Sequence, residues 1–195
     1  MRLRKAIART YMRFSSWTFV HEPLPEQAMV IGAPHTSNWD AIFMAVAFWS
    51  IDRPFCFFVK DSVVKVPLFG SFVKKIGGIG IDRTRSTGLV ETITHAAREA
   101  ANRGETFTIV LTPKGTRSPR PYWKSGFYRI ARGANLPVQL GFIDRTTRTF
   151  GWTHSIHLSG DMRKDMDVIR TFYSDKVGVH PEKVSTPRLR GEENE

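Results

Sequence analysis

Ala28-Met29-Val30-Ile31-Gly32-Ala33-Pro34-His35-Thr36-Ser37-Asn38-Trp39-Asp40 is the stretch on which the fold of this chain turns. An apolar run of strand length, 28–33, stops at Pro34, and after a few polar residues an apolar helix-like run follows over 38–50. A buried strand feeding a helix through a tight polar bend is the unit from which α/β domains are built. Open α/β sheets place their sites at such a bend, outside the carboxyl ends of the strands.

Outward from that junction the alternation continues. Strands are expected over 55–60, 79–82, 106–111, 136–143 and 147–158, and helices over 68–75, 86–103, 123–132 and 161–174. Leu89, Ile93, Ala96, Ala97 and Ala100 recur at helical spacing ahead of Gly104, and a β-branched strand follows them, which completes another βαβ unit. The fold class expected is therefore α/β, a single domain with a mixed, mostly parallel sheet flanked by helices. A chain of 195 residues is long enough for one core burying about 70% of its unfolded surface.

In the first twenty residues Leu3, Ile7, Phe14 and Trp17 fall at steps compatible with one helical face, with Arg2, Arg4, Lys5, Arg9 and Arg13 between them. This predicts an N-terminal basic amphipathic helix within 1–22, which can lie in a membrane interface or pack on its own domain. The body of the domain is expected over 23–180. The last residues, 181–195, rich in Pro, Arg and Glu, read as a flexible tail.

Composition narrows the partners. Hydrophobic residues make up 41% and charged residues 24%, a globular balance. Lys and Arg number 29 against 18 Asp and Glu, and the net charge of +11 attracts phosphates, nucleic acids or anionic lipid. Fourteen Phe and five Trp suit a headgroup boundary, or equally an aromatic core. The single Cys56, in an apolar stretch, precludes an intrachain disulfide. The longest apolar run, 41–51, is about 11 residues where a bilayer span needs roughly 20, so no transmembrane helix is expected. The N-terminus has neither a continuous apolar core nor a small-residue cleavage site, which points to the cytoplasm.

The chemistry is concentrated in His35 and Asp40. On a continuous helix, positions five apart point roughly 140° away from each other, so the two can meet only if His35 precedes the helix. Pro34 disfavours helix before it, Ser37 or Asn38 can cap, and Asp40 in the first turn can face back toward the imidazole. A carboxylate fixes the tautomer and stabilises the imidazolium, while the other ring nitrogen takes a proton from a hydroxyl nucleophile. A plainer reading leaves Asp40 stabilising the helix dipole and His35 as a polar loop residue.

Other chemistries lack their residues. His154 and His157 lie three apart in an expected strand and face opposite sides, which disfavours a metal pair. Gly78-Ile79-Gly80 lacks the third glycine of a dinucleotide fingerprint, and neither a G-x4-G-K-[ST] loop nor a G-x-S-x-G elbow occurs.

His35 to Asp40 reproduces an H-x4-D motif, and three further blocks follow in order: Gly78-Ile79-Gly80-Ile81-Asp82-Arg83, Thr112-Pro113-Lys114-Gly115-Thr116-Arg117-Ser118, and Leu136-Pro137-Val138-Gln139-Leu140. Over roughly residues 28–143 the chain thereby resembles the 1-acylglycerol-3-phosphate acyltransferase (glycerophospholipid acyltransferase) family. The resemblance implies an O-acyltransferase with His35 and Asp40 catalytic, Arg83, Lys114, Gly115, Thr116 and Arg117 binding the acceptor's phosphate, and no metal. It also implies a lysophospholipid acceptor such as 1-acylglycerol-3-phosphate, and acyl-CoA or acyl carrier protein thioester as co-substrate rather than a bound cofactor. The implied location is peripheral, on an anionic membrane surface at the cytoplasmic face, with no nucleic acid partner. The planar forks of Arg83 and Arg117 can each hold a phosphate bidentately, and Gly115 permits close backbone approach; a solvated basic face is the alternative for the arginines. Lys114 departs from the family's usual glutamate, which admits another lysolipid or a glycolipid as acceptor. A nonspecific nucleic-acid binder would use the same charge but leaves the four ordered blocks unexplained.

Overall fold

The structure is a computed structural model and describes residues 2–81 and 88–194. Among the described residues there are seven α-helices: α1 (Arg2–Phe14), α2 (Trp39–Ser50), α3 (Asp61–Val64), α4 (Phe69–Lys75), α5 (Leu89–Asn102), α6 (Gly126–Ala134) and α7 (Met162–Tyr173). Seven strands accompany them: β1 (Thr18–His21), β2 (Gln27–Ala33), β3 (Cys56–Lys60), β4 (Gly78–Ile81), β5 (Phe107–Leu111), β6 (Val138–Asp144) and β7 (Thr149–Ile156).

The strands form one sheet in the order β1-β7-β6-β2-β5-β3-β4. From β6 to β4 every pairing is parallel, whereas β7 runs antiparallel to β6, and β1 lies parallel to β7. The expected mixed, mostly parallel α/β sheet is what the chain forms. β2 sits at its centre, with Ile31 opposite Leu111 of β5 and Leu140 of β6. Its near-continuous burial follows from cover on both faces.

Alternation along β2 divides the core in two. Met29 and Ile31 join Ile93, Phe127, Ile130, Met166 and Ile169 under α5, α6 and α7. Val30 faces the other way, into Phe43, Val46, Phe48, Phe150 and Trp152 beneath α2 and α1. Tyr173 ties the sheet internally, its hydroxyl donating to the Ile31 and Gly141 carbonyls at 3.1 and 2.8 Å.

Three expectations are corrected. The first helix ends at Phe14, so Trp17 is not on its face but packs on Phe43 at 4.5 Å, and 18–21 is a strand. Phe19 draws this strand onto the sheet edge by stacking on Phe150 at 5.4 Å. The helix expected from 123 begins only at Gly126, because Trp123 is held in a bridge to Leu189. Most consequentially, the C-terminal residues are docked rather than loose. Leu189 is buried, the Trp123 amide donates to the Arg188 carbonyl at 2.7 Å, and Arg170 pairs with Glu192 at 2.9 Å. A lone leucine in a polar tail carries no periodic signal, so only its long-range partners make it core.

Candidate active site

The bend after β2 contains a cis Ala33–Pro34 peptide bond, and the four residues from His35 to Asn38 separate it from α2. Asn38 makes no side-chain capping bond, but Ser37 Oγ accepts the Trp39 amide at 3.2 Å. Asp40, in the first turn, reaches back and accepts the Thr36 and Ser37 amides on Oδ2 at 2.9 and 3.0 Å. The carboxylate thus satisfies donors just ahead of the helix and sits where the helix dipole favours negative charge.

The same oxygen lies 2.8 Å from His35 Nδ1. The contact is close but off the axis of a full hydrogen bond. Asp40 is buried and His35 is 15% exposed, so the imidazole can meet a ligand while its partner carboxylate is shielded. His35 and Asp40 are therefore brought together as their spacing predicts.

β5 delivers the third block to the same end of the sheet, because it is parallel to β2 and next to it. Pro113 and Lys114 are buried, Gly115 and Thr116 half-buried, and Arg117 exposed. Gly115 takes a left-handed φ of 68°, and its amide donates to the Thr112 carbonyl at 2.9 Å, closing the turn. Thr116 Oγ1 accepts the Ser118 amide at 3.3 Å. The Arg117 guanidinium has no partner among the described residues and faces solvent. Arg83 lies outside the described residues.

Lys114 is placed differently from the expectation of an open phosphate ligand. Its ammonium donates to the Lys183 carbonyl at 2.6 Å in a buried setting. Burial pulls its pKa down, and the nearby Asp40 carboxylate partly opposes that shift. The cation at the usual glutamate position thus serves the C-terminal segment and stands in the field of the Asp40 carboxylate.

That segment is the part of the site that sequence reasoning missed. The His180 amide donates to Thr36 Oγ1 at 3.1 Å, and the Arg120 amide donates to Ser185 Oγ at 3.0 Å. Gly178 packs so closely on Thr36 that an added Cβ would lie 2.7 Å from its hydroxyl. Residues 178–189 therefore form a strap laid across the first and third blocks. The scattered apolar residues Val179, Val184 and Leu189 are its only local trace.

An apolar groove of about 550 Å³ opens beside the bend, lined by Tyr11, Phe14, Trp17, Trp39, Phe43 and Val179. Trp39 is the first residue of α2 and precedes Asp40 in the chain, so the groove reaches the head of that helix. A second hollow of about 470 Å³, near Pro25, Arg98 and Pro137, lies at the opposite ends of the strands and has no part in this site. Among the described residues no three His, Cys, Asp or Glu side chains cluster as metal ligands.

Comparison with known proteins follows this geometry. The family model described as Acyltransferase matches residues 17–140. The chain is 28% identical over 120 residues to a 1-acyl-sn-glycerol-3-phosphate acyltransferase of Pseudomonas aeruginosa, covering 60% of this chain and 44% of that one. It is 29% identical over 98 residues to lysophosphatidylcholine acyltransferase 1 of Danio rerio, covering 50% and 18%. The chain thus spans less than half the length of the curated relatives it matches. In fold it is similar to the crystal structure of the 1-acyl-sn-glycerophosphate acyltransferase PlsC from Thermotoga maritima, with a TM-score of 0.59, 15% identity, and coverage of 89% of this chain and 78% of that one. With the match extending over well over half of its residues, and the H-x4-D pair assembled at the head of α2, the chain belongs to the Acyltransferase family.

Proposed function

We propose that the chain transfers a fatty acyl group from an acyl thioester, carried by coenzyme A or acyl carrier protein, to a hydroxyl of a lysophospholipid such as 1-acylglycerol-3-phosphate. His35 removes the proton from the acceptor hydroxyl, whose oxygen attacks the thioester carbonyl. The carbon–sulfur bond breaks, and the leaving thiolate takes the proton back from the imidazolium. Asp40 holds the ring and stabilises its charged form. The single observation carrying this reading is the 2.8 Å approach of His35 Nδ1 to Asp40 Oδ2, which leaves the other ring nitrogen for the hydroxyl.

Arg117, exposed at the third block, and Arg83 of the second block bind the acceptor's phosphate, and the turn made by Gly115 and Thr116 presents Arg117. Lys114 contributes through the strap rather than by direct contact. The apolar groove beside Trp39 is of a size and character to take an acyl chain. Peripheral attachment to the cytoplasmic face of an anionic membrane is supported by α1, which packs inward through Ala8 and leaves Leu3 and Phe14 exposed among arginines. Among the described residues no helix is long and apolar enough to cross a membrane.

The test is acyl transfer from labelled acyl-CoA and acyl carrier protein thioesters to a panel of lysophosphatidate, lysophosphatidylcholine and a glycolipid. Turnover with at least one lysophospholipid, absent in His35→Ala, is the expected result. Equal turnover in that variant would refute the assignment.

A further inference from the structure

The corner between α3 and α4 inverts the usual arrangement of a surface helix. On α4 the small Gly70 and Val73 face inward, while the large Phe69 and Phe72 point out and are 54% and 51% exposed. Leu68 at the apex is 88% exposed and Val66 beside it is 47% exposed. Large apolar side chains gathered this way on a soluble surface mark a contact site.

The corner is built, not frayed. Leu68 has a φ of 59°, a region leucine rarely enters. The turn is fixed around it: the Phe69 amide donates to the Pro67 carbonyl at 2.6 Å, Gly70 to Val66 at 2.7 Å and Phe72 to Leu68 at 3.0 Å. Gly70 lies against Val64 with a Cβ position only 2.2 Å from the carbonyl oxygen, so α3 and α4 are locked together.

Charge identifies the occupant. Residues 60–81 hold four lysines, Lys60, Lys65, Lys74 and Lys75, against the one acid Asp61, which pairs with Lys65. The corner also adjoins α1, because Arg4 donates to the Lys75 carbonyl at 2.7 Å, and the exposed Leu3 and Ile7 lie on either side of Arg4 along that helix. A projecting apolar tip with a cationic rim, next to a basic amphipathic helix, suits a headgroup layer, where apolar side chains enter the acyl boundary and lysines meet lipid phosphates. A second copy of this chain would bring two like-charged corners together.

We propose that the α3–α4 corner is a wedge by which the chain inserts into an anionic phospholipid bilayer, with Leu68, Phe69 and Phe72 entering the acyl boundary. The wedge and α1 together make two points of attachment. This rests on the reading above that the chain works on an acceptor held in a membrane.

The test uses the full chain and sedimentation with vesicles of phosphatidylcholine alone or mixed in equal parts with phosphatidylglycerol. Leu68→Glu combined with Phe72→Glu is expected to weaken binding to the anionic vesicles by about tenfold at unchanged melting temperature, since two exposed apolar anchors are replaced by repelled charges. Leu68→Ser with Phe72→Ser removes the anchors alone and should lose a smaller factor. As a direct probe, Leu68→Cys carrying an environment-sensitive dye should shift to the blue on anionic vesicles; burial pushes the native Cys56 thiol up to about 11 and keeps it out of the labelling. Wild-type vesicle binding in the double variants, or no spectral shift, overturns the wedge. A change in oligomeric state without a change in vesicle binding also overturns it, in favour of self-association. Turnover of a short-chain, monomerically soluble acceptor is measured in parallel and should be retained in the wedge variants. If the wild type does not turn over that acceptor or any lysophospholipid, the enzymatic reading fails while the vesicle result stands on its own.

Discussion

The Lys114 ammonium donates 2.6 Å to the Lys183 carbonyl, joining the loop after β5 to a segment 69 residues further on. With the His180 amide on Thr36 and the Trp123 amide on the Arg188 carbonyl, this bond makes the C-terminal strap a wall of the end of the sheet that holds His35 and Asp40. Lys114→Glu places a buried carboxylate near Asp40 and leaves the Lys183 carbonyl facing it. We expect a loss of about 2 kcal/mol or more, read by denaturant unfolding, with faster amide exchange at His180 and Trp123. Unchanged exchange at both amides would mean that the strap is held without Lys114.

His35 and Asp40 should separate by assay. His35→Ala removes a mostly buried ring whose Nδ1 makes no full hydrogen bond among the described residues, so activity should fall by roughly 10² to 10⁴ while the melting temperature stays near wild type. Asp40→Ala also orphans the buried Thr36 and Ser37 amides, and should cost about 1–3 kcal/mol of stability besides activity. Matching melting curves for the two variants would contradict this division of roles.

Arg117 projects from the third block without a protein partner among the described residues, so its loss should be felt by substrate and not by the fold. Arg117→Ala is expected to raise KM for lysophosphatidate by roughly tenfold, the worth of one charge-assisted contact, and to leave a glycolipid acceptor unaffected. An equal rise for both acceptors would point away from phosphate.

Asp165 provides a pH prediction away from the site. Burial pushes its pKa up, but hydrogen bonds from the Tyr128 hydroxyl at 2.6 Å, from Ser159 at 2.9 and 2.8 Å and from the Gly160 amide at 3.1 Å outweigh that and hold it below the ordinary 3.8. A depressed carboxylate contributes its stability above the unfolded value and loses it as pH falls through the folded one. Asp165→Asn should therefore cost about 2 kcal/mol at pH 7, and the gap from wild type should close at pH values below 3.8. A gap that persists at acid pH would assign the loss to packing.

How far the sequence could be read follows from where each signal lies. The strand–bend–helix at 28–50 carries apolar runs, a proline stop and the His35–Asp40 spacing within a short window, and local sterics alone bring that pair together. The edge strand β1 was hidden because Phe14 and Trp17 extend the helical spacing of α1 across two serines, and pairing with β7 decides against it. Of the two caps expected for α2, Ser37 accepts the Trp39 amide while Asn38 makes no side-chain capping bond, and what the spacing did not show is that one Asp40 oxygen serves two amides of the bend and the imidazole at once.

By itself, then, the order of residues determined the α/β class, the meeting of His35 with Asp40 and the blocks that resemble the family, because each is encoded by neighbours in the chain. Tertiary structure alone decided what Lys114 touches, that 178–189 crosses the site, and that Leu68 and Phe72 face outward. Those outcomes depend on contacts between residues far apart in sequence, whose free energies exist only once the sheet has brought its strands into register.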